Sequence, residues 1–158
     1  MSYDEVIQAY EEKDAMQRMR AKKEFVKDKQ KRNSYKFKWI TNYTEFTDKY
    51  AILDHDLGCG NFGTVKAVLQ KDSQIPCAVK IVQKAYLRKY EGGLDLMRSE
   101  LETMEESDHS NVTQILQLLE DEESIYIVME LLTGGNLQEV FNNEMCYLSE
   151  ASVCHVMK

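Results

Sequence analysis

The chain has 158 residues, 43% of them apolar, and a formal net charge of −7 at pH 7; that suffices for one domain with a real core plus an extension, and excludes a disordered tail. No apolar run nears the roughly 20 residues that cross a bilayer, and the acidic start MSYDEVIQAYEEKD has none of the basic-then-apolar order of a secretion signal. A soluble, intracellular, cytoplasmic protein is expected, with a cytoskeletal or other large assembly left open as its place.

Charge divides the chain into three zones: residues 1–16 carry net −4, residues 17–38 net +8, and the remainder net −11. Residues 1–38 read as a charged helical extension, because no Pro or Gly occurs from Met1 through Asn33 and strong helix formers dominate. Ile7, Tyr10, Met16, Met19, Phe25 and Val26 make only a thin apolar stripe, which suits a solvated helix lying along a partner better than a core helix. Two readings stay open: a solvated extension that clamps its own domain, or an arm (17–38) that docks on an acidic protein or filament. Nucleic acid fits less well, because the acidic body would repel phosphates.

Residues 39–49 read as a lead-in. From there short apolar alternations are punctuated by turns. KYAILDHDLG and GTVKAVLQ look like strands joined across glycines, and IPCAVKIVQ is a third after the turn residues KDSQ. LDLMRSELETMEES follows, with Leu94, Met97, Leu101 and Met104 at the spacing of one amphipathic helix. SNVTQILQLLED and SIYIVMELL read as two more strands around an acidic turn at 120–124. Helices are then expected to start near Leu137 and at Ser149, which is a capping residue type. Met104, Met129 and the tyrosines are expected in the core. Cys59, Cys77, Cys146 and Cys154 form no C-x-x-C pair, so reduced, buried thiols are expected, and Cys146, Cys154 and His155 have poor spacing for a metal. His109 is expected to stabilise a turn.

The stretch GCGNFGTV, with glycines at 58, 60 and 63, poses the question of chemistry. A dinucleotide site would continue as a helix, but TVKAVLQ alternates like a strand. That favours a strand-turn-strand flap: Gly58, Gly60 and Gly63 let backbone approach a phosphate, and Phe62 can fold over the tip as a lid. A plain hairpin turn is the simpler alternative. Lys80 lies inside an apolar strand, where an unused charge is costly. Glu100, on the following helix, is its natural partner, for nucleotide binding or as a structural ion pair alone.

The arrangement GxGxxGxV, then AVK, then a helix glutamate resembles the small lobe of the eukaryotic protein kinases, and the likeness runs almost continuously from about Tyr50 to Lys158. The segments SELETMEESDHSNV and SIYIVMELLTGGNLQEVF are similar to those of calcium-regulated Ser/Thr kinases, although the chain has no EF-hand loop. The resemblance implies an α+β fold: a five-stranded antiparallel sheet with one helix, in a small lobe with hinge over 50–135, and the start of a large lobe over 136–158. It implies ATP as ligand, weakly held or lost, and Mg only where a large lobe exists. Lys80 and Glu100 take the roles of the lysine–glutamate pair that braces the phosphates. Leu57, Val65 and Ala78 match adenine-packing positions, Met129 the gatekeeper, and Glu130 to Leu132 the hinge. Ser110 and Asn136 depart from the usual proline and ribose-facing acid.

Transfer of phosphate in this family also requires HRD…N and DFG sequences, and neither occurs in these residues. The chain as given is therefore expected to be catalytically inactive. Three readings follow: a Ser/Thr kinase seen in part, a non-catalytic half-kinase serving an assembly through its basic helix, or a nucleotide sensor. Phe141, Val153 and Val156 would need a protein partner over the large-lobe face.

Overall fold

The computed structural model describes residues 2–13, 38–60, 63–106, 109 and 111–136. The expected helix through 14–37, the Phe62 lid, Ser110, the helix starts at Leu137 and Ser149, and the trio Cys146, Cys154 and His155 lie outside them.

The chain order is α1 (Tyr3–Glu11), β1 (Lys38–Trp39), α2 (Tyr43–Lys49), β2 (Tyr50–Gly60), β3 (Gly63–Gln70), β4 (Ile75–Gln83), α3 (Lys84–Leu87), α4 (Gly93–Glu106), β5 (Ile115–Glu120) and β6 (Ser124–Glu130). The strands form one sheet in the order β1-β5-β6-β4-β3-β2. Five are antiparallel to their neighbours, as expected from the sequence. The short β1 adds a parallel edge on β5, closed by Ile40 N–H donating to Glu120 O at 2.8 Å. Its two residues give no alternation to detect, which is why the sequence read them as extension and lead-in.

The turns follow their side chains. At the β5–β6 hairpin Asp121 Oδ1 accepts from Glu123 N at 2.9 Å and Ser124 N at 2.7 Å, and Tyr126 Oη donates to Asp121 Oδ2 at 2.6 Å. An Asp at this offset replaces the missing ladder bonds of a turn. The helix α2, inside the lead-in, starts at Asn42, whose Oδ1 accepts from Thr44 N and Glu45 N. It lays Phe46 onto one sheet face, with its ring 5.2 Å from Tyr50 and 5.0 Å from Tyr126. That cluster includes Val68, Cys77, Val79 and Val128.

The opposite face holds the second cluster, where Leu101 of α4 meets Val82, Ile115, Ile125 and Ile127, with Leu94 and Met97 against it. The helix stripe thus packs as its spacing requires, except Met104, which is 40% exposed. Tyr50 and Tyr126 are core residues as expected, whereas Tyr43, Tyr86 and Tyr90 are exposed. The two-ended character of tyrosine lets it sit on either side of that boundary. Cys77 is buried but Cys59, on the open hairpin, is not. His109 Nδ1 accepts from Asn111 N at 3.1 Å, the turn bond expected of it. No helix among the described residues is long and apolar enough to cross a membrane.

Candidate functional site

Strand β4 decides the geometry. Directly opposed residues in an antiparallel sheet share a face. Val65 opposes Lys80, Ala67 opposes Ala78, and Ala78 and Lys80 oppose Met129 and Ile127 across β6. Val65, Ala67, Ala78, Lys80, Ile127 and Met129 therefore occupy one face, the one that α4 also packs on, while Cys77 and Val79 serve the α2 side.

Below this face lies a cleft of about 520 Å³, within the usual size range of small-molecule sites. Leu57, Ala78 and Met129 line it, with the segment that leaves β6 as its rim: Glu130, Leu131, Leu132, Thr133, Gly135 and Asn136. Glu130 is tied back to the segment before β5, its N–H donating to Gln114 O at 3.1 Å and its carboxylate accepting from Gln114 N at 3.0 Å. Leu131 and Leu132 make no backbone hydrogen bond among the described residues. Among the described residues their N–H and C=O groups are thus without a backbone partner, as a planar polar ligand would require.

Gly58, Gly60 and Gly63 sit in the β2–β3 hairpin, where Gly60 opposes Gly63 and the register shifts between Asp56 and Gly58. Their reasons differ. A Cβ on Gly63 would fall 1.8 Å from Ile81 O, so the close approach of β3 to β4 requires glycine there, while Gly58 and Gly60 face open space. Room for a ligand without a Cβ in the way belongs to Gly58 and Gly60. Lys66 and Asp56, 2.9 Å apart, tie the two strands below the loop.

Lys80 is half-buried and makes no ion pair or hydrogen bond among the described residues. Glu100 is exposed, and no ion pair joins the two. The bracing pair expected from the sequence is not formed in this structure, and the neighbouring contact of α4 is made two residues before Glu100. Arg98 binds Glu120 Oε1 at 2.5 Å, and Glu120 is also 2.6 Å from Lys84 Nζ. Lys84 further donates to Asp121 O and lies 4.9 Å from the centroid of the Trp39 ring. With Arg98 held on β5 and Leu101 buried, Glu100 is carried to the solvent side of α4. A lysine on this face without a carboxylate partner among the described residues is a fitting arrangement for the phosphates of a nucleotide.

The sequence reading missed the Lys84–Glu120–Arg98 cluster and Tyr3. Lys84 and Glu120 are among the few buried charges of the described residues, and a KxxL run after a strand gave no sign of burial. Tyr3 lines the cleft mouth although it belongs to the charged extension. Its ring stacks on His55 with centroids 4.1 Å apart. Burial holds its phenol above the ordinary range, with the charges of Asp4 and Glu11 adding to the effect. Among the described residues no cluster of His, Cys, Asp and Glu could hold a metal ion.

A profile of the protein kinase domain matches residues 51–158. The chain is 37% identical over 100 residues to calcium-dependent protein kinase 3 of Plasmodium yoelii yoelii, covering 63% of this chain and 18% of that protein. It is 34% identical over 100 residues to the serine/threonine-protein kinase RAD53 of Saccharomyces cerevisiae, covering 63% of this chain and 12% of that protein. A crystal structure of Rad53 1–466 in complex with AMP-PNP superimposes with a TM-score of 0.60 at 29% identity, over 67% of this chain and 28% of that one. The chain thus spans less than a fifth of the length of these two curated relatives.

Proposed function

Since the chain belongs to the protein kinase family, and its relatives are Ser/Thr and calcium-dependent kinases, we propose that these residues are the ATP-binding small lobe of a Ser/Thr protein kinase. The adenine packs between Leu57, Val65 and Ala78 above and Met129 behind, and bonds to the backbone of 130–132. The glycine hairpin closes over the phosphates and Lys80 neutralises them. The observation that carries this reading is Lys80, half-buried, without an ion pair or hydrogen bond among the described residues, and on the same face of β4 as Ala78, which lines the cleft.

ATP bound with magnesium supplies the transferable phosphoryl group. What these residues contribute is binding and orientation: apolar walls exclude water from the base, and Lys80 fixes the phosphates. Among the described residues none is placed to hold the metal or take the proton of an attacking hydroxyl, and on this reading the phosphoryl transfer itself draws on groups outside them. The test is titration with a fluorescent ATP analogue. Saturable binding that Lys80→Ala weakens roughly tenfold, the worth of one charge-assisted contact, supports the reading, and no binding at millimolar ligand overturns it.

A second reading is a non-catalytic binding subunit, and Glu100, exposed and without an ion pair among the described residues, favours it, because an active site of this family uses that carboxylate on Lys80. In that case the basic residues 17–38 dock the chain on an acidic protein surface and a protein partner covers its large-lobe face. Co-sedimentation with an acidic filament, lost when the lysines of 17–38 are replaced by glutamine, supports it. Retention unchanged by those replacements counts against it.

A further inference from the structure

The helix α1 does not extend away from the lobe. Ser2 and Glu5 form a reciprocal cap, Ser2 N donating to Glu5 Oε2 at 2.8 Å and Glu5 N to Ser2 Oγ at 3.3 Å, which fixes Tyr3 as the first helical residue. One turn on, Val6 is 4% exposed and packs with Leu53, Ala67 and Leu69. Ala67 opposes Ala78, so α1 covers the cleft face of the sheet and not the α2 side. Tyr3, Ala51 and Leu57 pack against the same cluster, and Tyr3 and Leu57 both line the cleft. The hydrophobic seat of α1 is therefore continuous with the wall of the site.

We propose that the N-terminal helix is part of the nucleotide site: Tyr3, carried on α1 and stacked on His55, forms the outer wall of the cleft and packs against the nucleoside half of ATP. The proposal rests on the ATP-binding reading above and extends it to a segment outside the matched kinase domain. The cap sets the position of the ring, Val6 holds the helix, and His55 backs the ring from β2 with planes 11° apart. A cleft that keeps about 520 Å³ with Tyr3 in its lining is walled by that residue and not filled by it. A flat ring at this place offers the base and ribose a stacking surface that Leu57 alone does not.

The experiment is calorimetric titration of the whole chain with ATP, using Tyr3→Leu and Tyr3→Phe and checking each variant's melting temperature without ligand. Leucine keeps apolar bulk against Ala51 and Leu57 but removes the flat ring. The expected result is that both variants melt as the parent does, Tyr3→Leu binds ATP roughly tenfold more weakly, as loss of one stacking ring implies, and Tyr3→Phe recovers the affinity. If Tyr3→Leu binds as well as the parent while Lys80→Ala still weakens binding, the wall is refuted and the ATP site survives. Tighter binding by Tyr3→Leu would make Tyr3 an obstruction, and equal losses in both variants would make its role structural; either refutes the proposal. If the parent binds no ATP, the ATP reading and this extension of it fall together.

Discussion

Lys84 and Glu120 meet at 2.6 Å with both side chains 4% exposed, and Arg98 of α4 shares the same carboxylate. One buried acid thus ties the start of α3, the strand β5 and the helix that carries Glu100. Its effect on the site is to set where α4 sits.

Glu120→Leu should destabilise the lobe by about 3–5 kcal/mol, because it leaves Lys84 buried without a counter-charge. The pair Lys84→Met with Glu120→Leu should cost much less than the two single changes together. Chemical denaturation of the three variants checks this double-mutant cycle. Equal and additive losses would mean that the two charges act independently.

Gly63→Ala should cost about 2 kcal/mol or more, since the new methyl collides with the backbone of Ile81. Gly60→Ala should leave stability nearly unchanged, for its Cβ meets open space. Thermal melts of both variants separate the two glycines, which the sequence pattern treats alike.

Cys77 should resist alkylation in the folded chain and Cys59 should react at once. Burial pushes the Cys77 thiol up to about 12 from 9.0, and the thiolate is the nucleophile. In the unfolded chain this thiol ionises first, so its contribution to stability is complete below about pH 9 and is lost as pH climbs from there towards 12. The Tyr126 phenol, also raised chiefly by burial, acts with the same sign. Mass-resolved labelling with iodoacetamide at pH 8, with and without denaturant, reads both thiols, and early modification of Cys77 would contradict its burial.

Glu100→Gln should leave the melting temperature of the lobe unchanged, as expected for an exposed side chain without an ion-pair partner among the described residues. Arg98→Ala should lower it, because Arg98 is the tether of α4 to β5. Hydrogen exchange should localise that loss to α4. A large effect of Glu100→Gln would show that the carboxylate pairs with Lys80 in solution.

Much of this was legible in the sequence. Strands β3 and β4 cover the apolar runs GTVKAVLQ and IPCAVKIVQ, because a strand buried on both faces shows as a short apolar run between turn residues. The α4 stripe was legible from its period of 3.6. Candidate positions Leu57, Ala78, Met129, Glu130 and Leu132 come together around one cleft, since strand order and alternation determine which residues share a face. The Lys80–Glu100 pairing was not decidable, because spacing puts both residues on neighbouring elements but not which turn of α4 meets β4. That is set by Glu120, a long-range contact. Tyr3 was invisible as well, being separated by some fifty residues from His55 and Leu57, and no periodicity connects such distant positions.

The cleft under β2–β4 should receive ATP. Amide NMR spectra of the isotope-labelled chain, recorded with increasing Mg-ATP, test it residue by residue. Saturable shifts are expected at Leu57, Gly58, Gly60, Leu131 and Leu132 and none at Phe46, Val68 or Tyr126 on the opposite face. Spectra that do not change, or that change only on the α2 face, would contradict it.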